Sequence, residues 1–166
     1  MRWSDIDFEK GMLHVQRTVS HIPGNSYFES EPKTKSGRRR IILPGVTIEA
    51  LKVHRVCQDK ARLEAGEKWR DREIVFANYS GGFLRGDTVL DLFYQLLKDA
   101  GLPPMRFHDL RHSAATILFA AGVNPKVIQE LLGHSTISIT LEVYSHVLPS
   151  MQQEAAGKMD DIFKNL

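Results

Sequence analysis

A single cysteine, Cys57, stands among 166 residues, so no internal disulfide can form. That scarcity points to a reducing compartment. The residue falls inside a helical pattern, where a buried, inert thiol is the expectation rather than a nucleophile. Long apolar runs are missing too. Nothing approaches the roughly 18 residues that a membrane span requires, and the first residues lack the charged-then-apolar plan of a secretion signal. The chain therefore reads as a soluble, cytoplasmic protein with no membrane partner. Neither sign of charge dominates: 22 Lys and Arg face 20 Asp and Glu, for a net charge of +2. So small a surplus does not argue for nucleic acid by itself. Internal repeats and low-complexity segments are absent as well.

What is present is an ordinary globular composition, 42% apolar and 25% charged, in a chain long enough to bury one core. The charge is unevenly placed. Residues 33–40 hold five cations (Lys33, Lys35, Arg38, Arg39 and Arg40) and no acid. Lys33, Lys35 and Arg38 sit at the tip of an expected hairpin, residues 31–38, and Arg39 and Arg40 open its second strand. Leu13 to Val19 alternates apolar and polar residues, and Tyr27–Ser30 and Arg39–Leu43 are two further strand candidates. Together these make a small antiparallel sheet. A helix is expected from residue 46 or 47 to Ala65, with Ile48, Leu51, Val56 and Leu63 on its apolar side. Glu73–Ala77 reads as a short strand or an extended buried segment. Asp87 is expected to cap a helix running to Ala100, which Gly101 ends.

The second half is helical. On a wheel for residues 108–121, Leu110, Ala114, Ile117, Leu118 and Ala121 fall on one side and form the expected packing stripe. His108 and Arg111, three residues apart, share neighbouring ground away from it. A guanidinium grips two oxygens through a rigid fork and an imidazole donates a third hydrogen bond, a combination suited to phosphate. After Gly122, Asn124 is the expected N-cap and Pro125 the first residue of a short helix that ends at Gly133. Another helix spans Ser138–Val143. The tail, 149–166, is amphipathic, with Met151, Ala155, Met159, Ile162, Phe163 and Leu166 on one side. It packs on its own domain or docks into a neighbouring subunit.

The order Phe107-His108-Asp109-Leu110-Arg111-His112-Ser113, then Leu131-Leu132-Gly133-His134, then Tyr144-Ser145-His146-Val147 resembles the catalytic domain of the tyrosine recombinases, the phage-type integrases. The likeness runs from Trp3 to about Leu148. It implies an α+β, mainly α fold, with a small N-terminal three-stranded antiparallel sheet packed on a helical catalytic domain. It also implies site-specific DNA recombination through a 3′-phosphotyrosyl intermediate that conserves bond energy, so that no cofactor or metal is called for. By resemblance Tyr144 is the nucleophile, Arg111 and His108 clamp the phosphate, and His134 hydrogen-bonds it. Lys35 is the general acid, a role that Lys33 could take instead. Lys33, Arg38, Arg39, Arg40 and Arg106 are the expected contacts to the DNA backbone. His112 reads as structural, and His146 as support for the tyrosine's segment.

Double-stranded DNA and other recombinase protomers are the implied partners, in a tetramer on DNA with the C-terminal helix exchanged in trans. The family carries a further catalytic arginine one helix upstream of its Arg-Trp-Ser-Asp segment, whereas this sequence starts two residues before that Trp. Arg2 matches a different, non-catalytic position. The expectation is therefore an N-terminally truncated catalytic domain, lacking that segment and the core-binding domain, whose recombination alone is impaired or lost. A competing reading takes residues 114–132 as a plain helix-turn-helix that binds DNA without catalysis. Such a protein has no use for Tyr144.

Overall fold

The computed structural model describes residues 1–21, 27–32, 37–142 and 148–164, with backbone alone at 139, 140, 142 and 148–155. They form two compact units, Met1–Pro104 and Met105–Leu166.

In the first unit, β1 (Ile6–Asp7), β2 (Met12–Val15) and β5 (Arg39–Ile42) make an antiparallel sheet in the order β1-β2-β5. Asp7 Oδ1 accepts the amides of Glu9 and Lys10, which turns the chain between β1 and β2. The register sets Leu13 opposite both Ile6 and Ile41. Cross-strand partners share a face, so Leu13 packs with Ile6 against Leu51 and Val75. Leu51 comes from α1 (Gly45–Ala65), whose N-cap position Pro44 occupies. Val75 belongs to an extended segment rather than a strand, with single bridges at Ile74 and Ala77. That segment is held by α1: Gln58 Nε2 donates to the carbonyls of Ile74 and Val75, and its Oε1 accepts the Trp3 indole N–H at 2.7 Å.

A second, two-stranded sheet pairs β3 (Thr18–His21) with β4 (Tyr27–Ser30). The expected continuous strand from Leu13 to Val19 is therefore broken, and Tyr27–Ser30 joins its second half. The cause is an ionic cluster at the break. Asp5, 1% exposed, accepts Gln16 Nε2 at 2.9 Å and pairs with Arg17 at 3.0 Å. Both residues at the junction thus turn back toward Asp5, and β1 completes the three-stranded sheet instead. Arg2 grips Glu29 of β4 through two bonds of 3.1 and 2.9 Å, tying the second sheet to the segment ahead of β1.

For the first two helices the expectations need correcting in three places. On α1 only Ile48 and Leu51 are buried, while Val56 and Leu63 are exposed. Cys57 is exposed as well, against the expected buried thiol. A disulfide reagent such as DTNB should therefore titrate Cys57 in the folded chain; a thiol that reacts only in denaturant would contradict this placement. Helix α2 (Gly86–Asp99) begins with Arg85, not Asp87, at its N-cap and buries Phe93 and Leu97.

In the second unit, α3 (Asp109–Ala120) and α4 (Pro125–Leu132) pack through Ala115, Phe119 and Ile128. Most of the expected stripe on α3 is turned outward: Leu110 and Ile117 are 43% and 68% exposed, against 0% and 4% for Ala115 and Phe119. Of the stripe only Leu118 packs against that core. The short turn at Gly122 brings α4 back over the side of α3 where Ala115 permits close approach. Burial thus follows the partner helix, on the side that also carries Arg111. Helices α5 (Ile137–Glu142) and α6 (Leu148–Lys164) complete the order. On α6, Met159, Ile162 and Phe163 are exposed; the rest of that expected stripe (Met151, Ala155, Leu166) lies outside the described side chains. No helix among the described residues is long and apolar enough to cross a membrane.

Candidate active site

The site grows from the first turn of α3. Asp109 accepts the Arg106 amide at 3.0 Å and its guanidinium at 2.9 Å, closing the turn that starts the helix. A carboxylate there also suits the positive end of the helix dipole. The Arg106 hydrogen bonds hold the Asp109 carboxyl below its ordinary range and raise the guanidinium in return. Arg106, expected on the DNA backbone, is thus committed to Asp109 while its side chain stays largely in solvent. His108 occupies the N-cap position with an exposed ring. Its imidazole meets that of His112, one turn on, edge to face at 5.1 Å.

Arg111 follows in the same turn, its amide bonded to the His108 carbonyl. Its side chain is half-buried, and burial pushes the guanidinium pKa down. A guanidine's ordinary value is so high that it stays charged. Arg111 Nε donates to His134 Nε2 at 3.1 Å across 23 positions of sequence. His134 is itself buried, 7% exposed.

The end of α4 explains why His134 arrives there. Gly133 adopts a left-handed conformation, φ 69° and ψ 38°. Its amide donates to the Glu130 carbonyl and the next amide, His134, to the Gln129 carbonyl. This pairing is the Schellman motif, which reverses the chain and favours glycine at its hinge. At the other end of α4, the Asn124 side chain caps the Lys126 amide at 2.8 Å and Pro125 follows, as read from sequence. Gln129, unremarked in the sequence, donates its side-chain amide to the His134 carbonyl at 3.2 Å.

The structure therefore joins Arg111 and His134 directly and sets His108 on the same first turn. Tyr144, His146, Lys33 and Lys35 lie outside the described residues. The basic run belongs to the other unit, where Arg38, Arg39 and Arg40 line a concavity of about 340 Å³ with His14 and Glu31. Arg38 is ion-paired to Glu31. Register places His14 opposite Arg40 and Val15 opposite Arg39. Arg40 thus lies on the exposed face of the sheet, whereas Arg39 shares the face of Leu13 and the core. Among the described residues no group of three His, Cys, Asp or Glu could hold a metal.

A partly desolvated guanidinium and an exposed imidazole on the first turn of one helix are groups able to bind an anion. Residues 1–151 match the model of the phage integrase family. The chain belongs to that family. A XerC-like tyrosine recombinase of Caldanaerobacter subterraneus subsp. tengcongensis is 37% identical over 174 residues, covering 98% of this chain and 44% of the relative. The ICEBs1 integrase of Bacillus subtilis is 30% identical over 162 residues, with the same two shares. This phage integrase chain thus spans somewhat under half the length of these curated relatives.

A solved Tn1549 transposon integrase in complex with transposon right-end DNA superposes with a TM-score of 0.74 at 26% identity, covering 93% of this chain and 52% of that one. The XerA recombinase, at 21% identity and a TM-score of 0.68 over 96% of this chain and 50% of its own, shares the fold. The phage-integrase fold is mainly α with a small antiparallel sheet, as the motifs implied. A plain helix-turn-helix protein is not favoured.

Proposed function

We propose that this chain is the strand-cleaving part of a site-specific tyrosine recombinase acting on double-stranded DNA. The Tyr144 oxygen attacks the phosphorus of a DNA phosphodiester and forms a 3′-phosphotyrosyl bond. The bond to the 5′-oxygen breaks, and that oxygen takes a proton from Lys35 (or Lys33) and leaves as a hydroxyl. A second strand's 5′-hydroxyl later attacks the phosphotyrosine, and the tyrosine is released. A phenol titrates near pH 10, so nearby cations must favour the phenolate. Arg111 and His108 grip the non-bridging oxygens and stabilise charge in the pentacovalent transition state, with His134 in the same phosphate-binding group.

The observation carrying this reading is the Arg111–His134 contact at 3.1 Å, which joins two motifs of an established phage integrase chain. DNA-backbone contacts are assigned to Arg106, Lys33, Arg38 and Arg40, with Arg39 the weakest candidate because of its face. The complex of the related Tn1549 integrase with DNA supports a DNA partner. The exposed Met159, Ile162 and Phe163 support docking of α6 into another protomer of a DNA-bound tetramer. The reaction belongs in the cytoplasm, with the DNA.

The test is a DNA duplex nicked near the cleavage site, so that the released fragment diffuses away. The intact protein should form an adduct that survives a denaturing gel. Tyr144→Phe should abolish the adduct while DNA affinity is unchanged. Binding without any adduct from the unsubstituted protein would leave a DNA-binding protein and end the recombinase reading.

A further inference from the structure

Arg111 and His134 meet directly, but His108 is held by less. Its ring is exposed at the start of α3, and its side chain does not cap the helix. Among the described residues that side chain meets one group only, the ring of His112. The two centroids lie 5.1 Å apart and the planes cross at 76°.

Helix geometry produces this contact. Residues four apart share a face, and each side chain leans back over the turn that precedes it. His112 therefore leans onto His108, and it is half-buried where His108 is exposed. Aromatic rings favour an edge-to-face meeting, the positive edge of one against the negative face of the other. An exposed side chain without such a neighbour samples several rotamers, whereas a donor to a transition state works best already in place. His112 also has a rival task. The Asp109 carboxyl is held low chiefly by its hydrogen bonds from Arg106, and the positive charge of His112 adds to that effect. A charge at 112 serves the helix start; a ring at 112 serves His108.

We propose that His112 is a positioning residue for strand cleavage: its half-buried ring backs the His108 imidazole and keeps it in one orientation, ready to donate to a non-bridging oxygen of the scissile phosphodiester. The inference rests on the reading of His108 as a phosphate ligand. It gives His112 a part beyond the structural one expected from sequence.

Two variants separate ring from charge. His112→Phe keeps a ring against His108 and removes the charge near Asp109. His112→Ala removes both, with a residue that favours the helix. In NMR of the 166-residue chain, scalar couplings across the His108 Cα–Cβ bond report its rotamers. They should show a single rotamer in the unsubstituted chain and in His112→Phe, and an average in His112→Ala, while thermal unfolding stays cooperative. A loss of stability alone would not produce that pattern.

In the intact protein, single-turnover cleavage of the nicked duplex at saturating DNA should fall roughly tenfold or more in His112→Ala, as expected for a misaimed group. In His112→Phe it should stay within about threefold, and DNA affinity within about twofold in both. Alanine cleaving as fast as the unsubstituted protein, or phenylalanine falling as far as alanine, would overturn the proposal. So would a His108 side chain already averaged over rotamers in the unsubstituted chain. An unsubstituted protein that forms no adduct would instead defeat the recombinase reading, and the couplings would still decide whether His112 holds His108.

Discussion

Arg111→Lys is expected to slow single-turnover cleavage of the nicked duplex by about 10²- to 10³-fold, the usual loss when one preorganised donor to a transition state is removed. The substitution keeps the positive charge, so attraction to DNA from a distance changes little. What it removes is geometry. A lysine has no planar fork to hold two phosphate oxygens and no Nε for His134 to accept. Burial matters as well. It already lowers the Arg111 pKa, and an ammonium with an ordinary value near 10.4 has far less margin than a guanidinium. The measurement pairs that rate with a filter-binding isotherm. A rate within threefold of the unsubstituted protein would mean that charge alone suffices, and the fork would have no part in the chemistry.

Asp5→Asn should destabilise the first unit by about 2–3 kcal/mol, as for a buried ion pair that loses one partner. The new amide keeps the shape and one oxygen, which can still accept Gln16 Nε2 and the Arg17 guanidinium. It loses the charge, however, and turns its N–H₂ toward the Arg2 amide, itself a donor. The lower end of the range applies, because Arg17 keeps 25% of its side-chain surface in water. The urea midpoint of unfolding reads the loss directly. A change below about 0.5 kcal/mol would show that the cluster has no net worth.

The same cluster makes the fold acid-sensitive. Burial pushes the Asp5 carboxyl up, but the Gln16 and Arg2 hydrogen bonds and the Arg17 charge together bring it below its ordinary value. Glu29 is lowered chiefly by its hydrogen bonds from Arg2. Both carboxyls therefore bind protons less tightly folded than unfolded. Their stabilisation is complete above the ordinary carboxylate range, near pH 4, and drains away as pH falls through the lower folded values. In Asp5→Asn that acid slope should flatten.

Much of the candidate site was legible before any coordinates, because its parts are local. His108 and Arg111 share a turn through helical periodicity alone. Asn124, Pro125 and Gly133 bound α4 because a cap, a ring and a left-handed hinge are each properties of single residues. That His134 meets Arg111 was implied by family resemblance but not by any spacing, since 23 positions separate them. The errors on helix faces are of one kind. Leu110 and Ile117 make a good stripe on paper, yet α3 buries the side where Ala115 and Phe119 face Ile128. Periodicity says that a helix has faces; it does not say which face finds a partner. Gln129 escaped notice for a related reason: its hydrogen bond depends on the carbonyl that a turn returns to it.

By itself, then, the amino-acid order determined the helices, the ends of α4, the motif residues and the family. Tertiary structure alone decided that Asp5 splits a strand between two sheets, that Arg39 and Arg40 part to opposite faces, and that Arg111 lies beside a core instead of opposite one. The physical reason is range. Capping, hinge and periodic preferences act over one or two turns of chain, whereas burial and ion pairing depend on what the fold brings near from far along it.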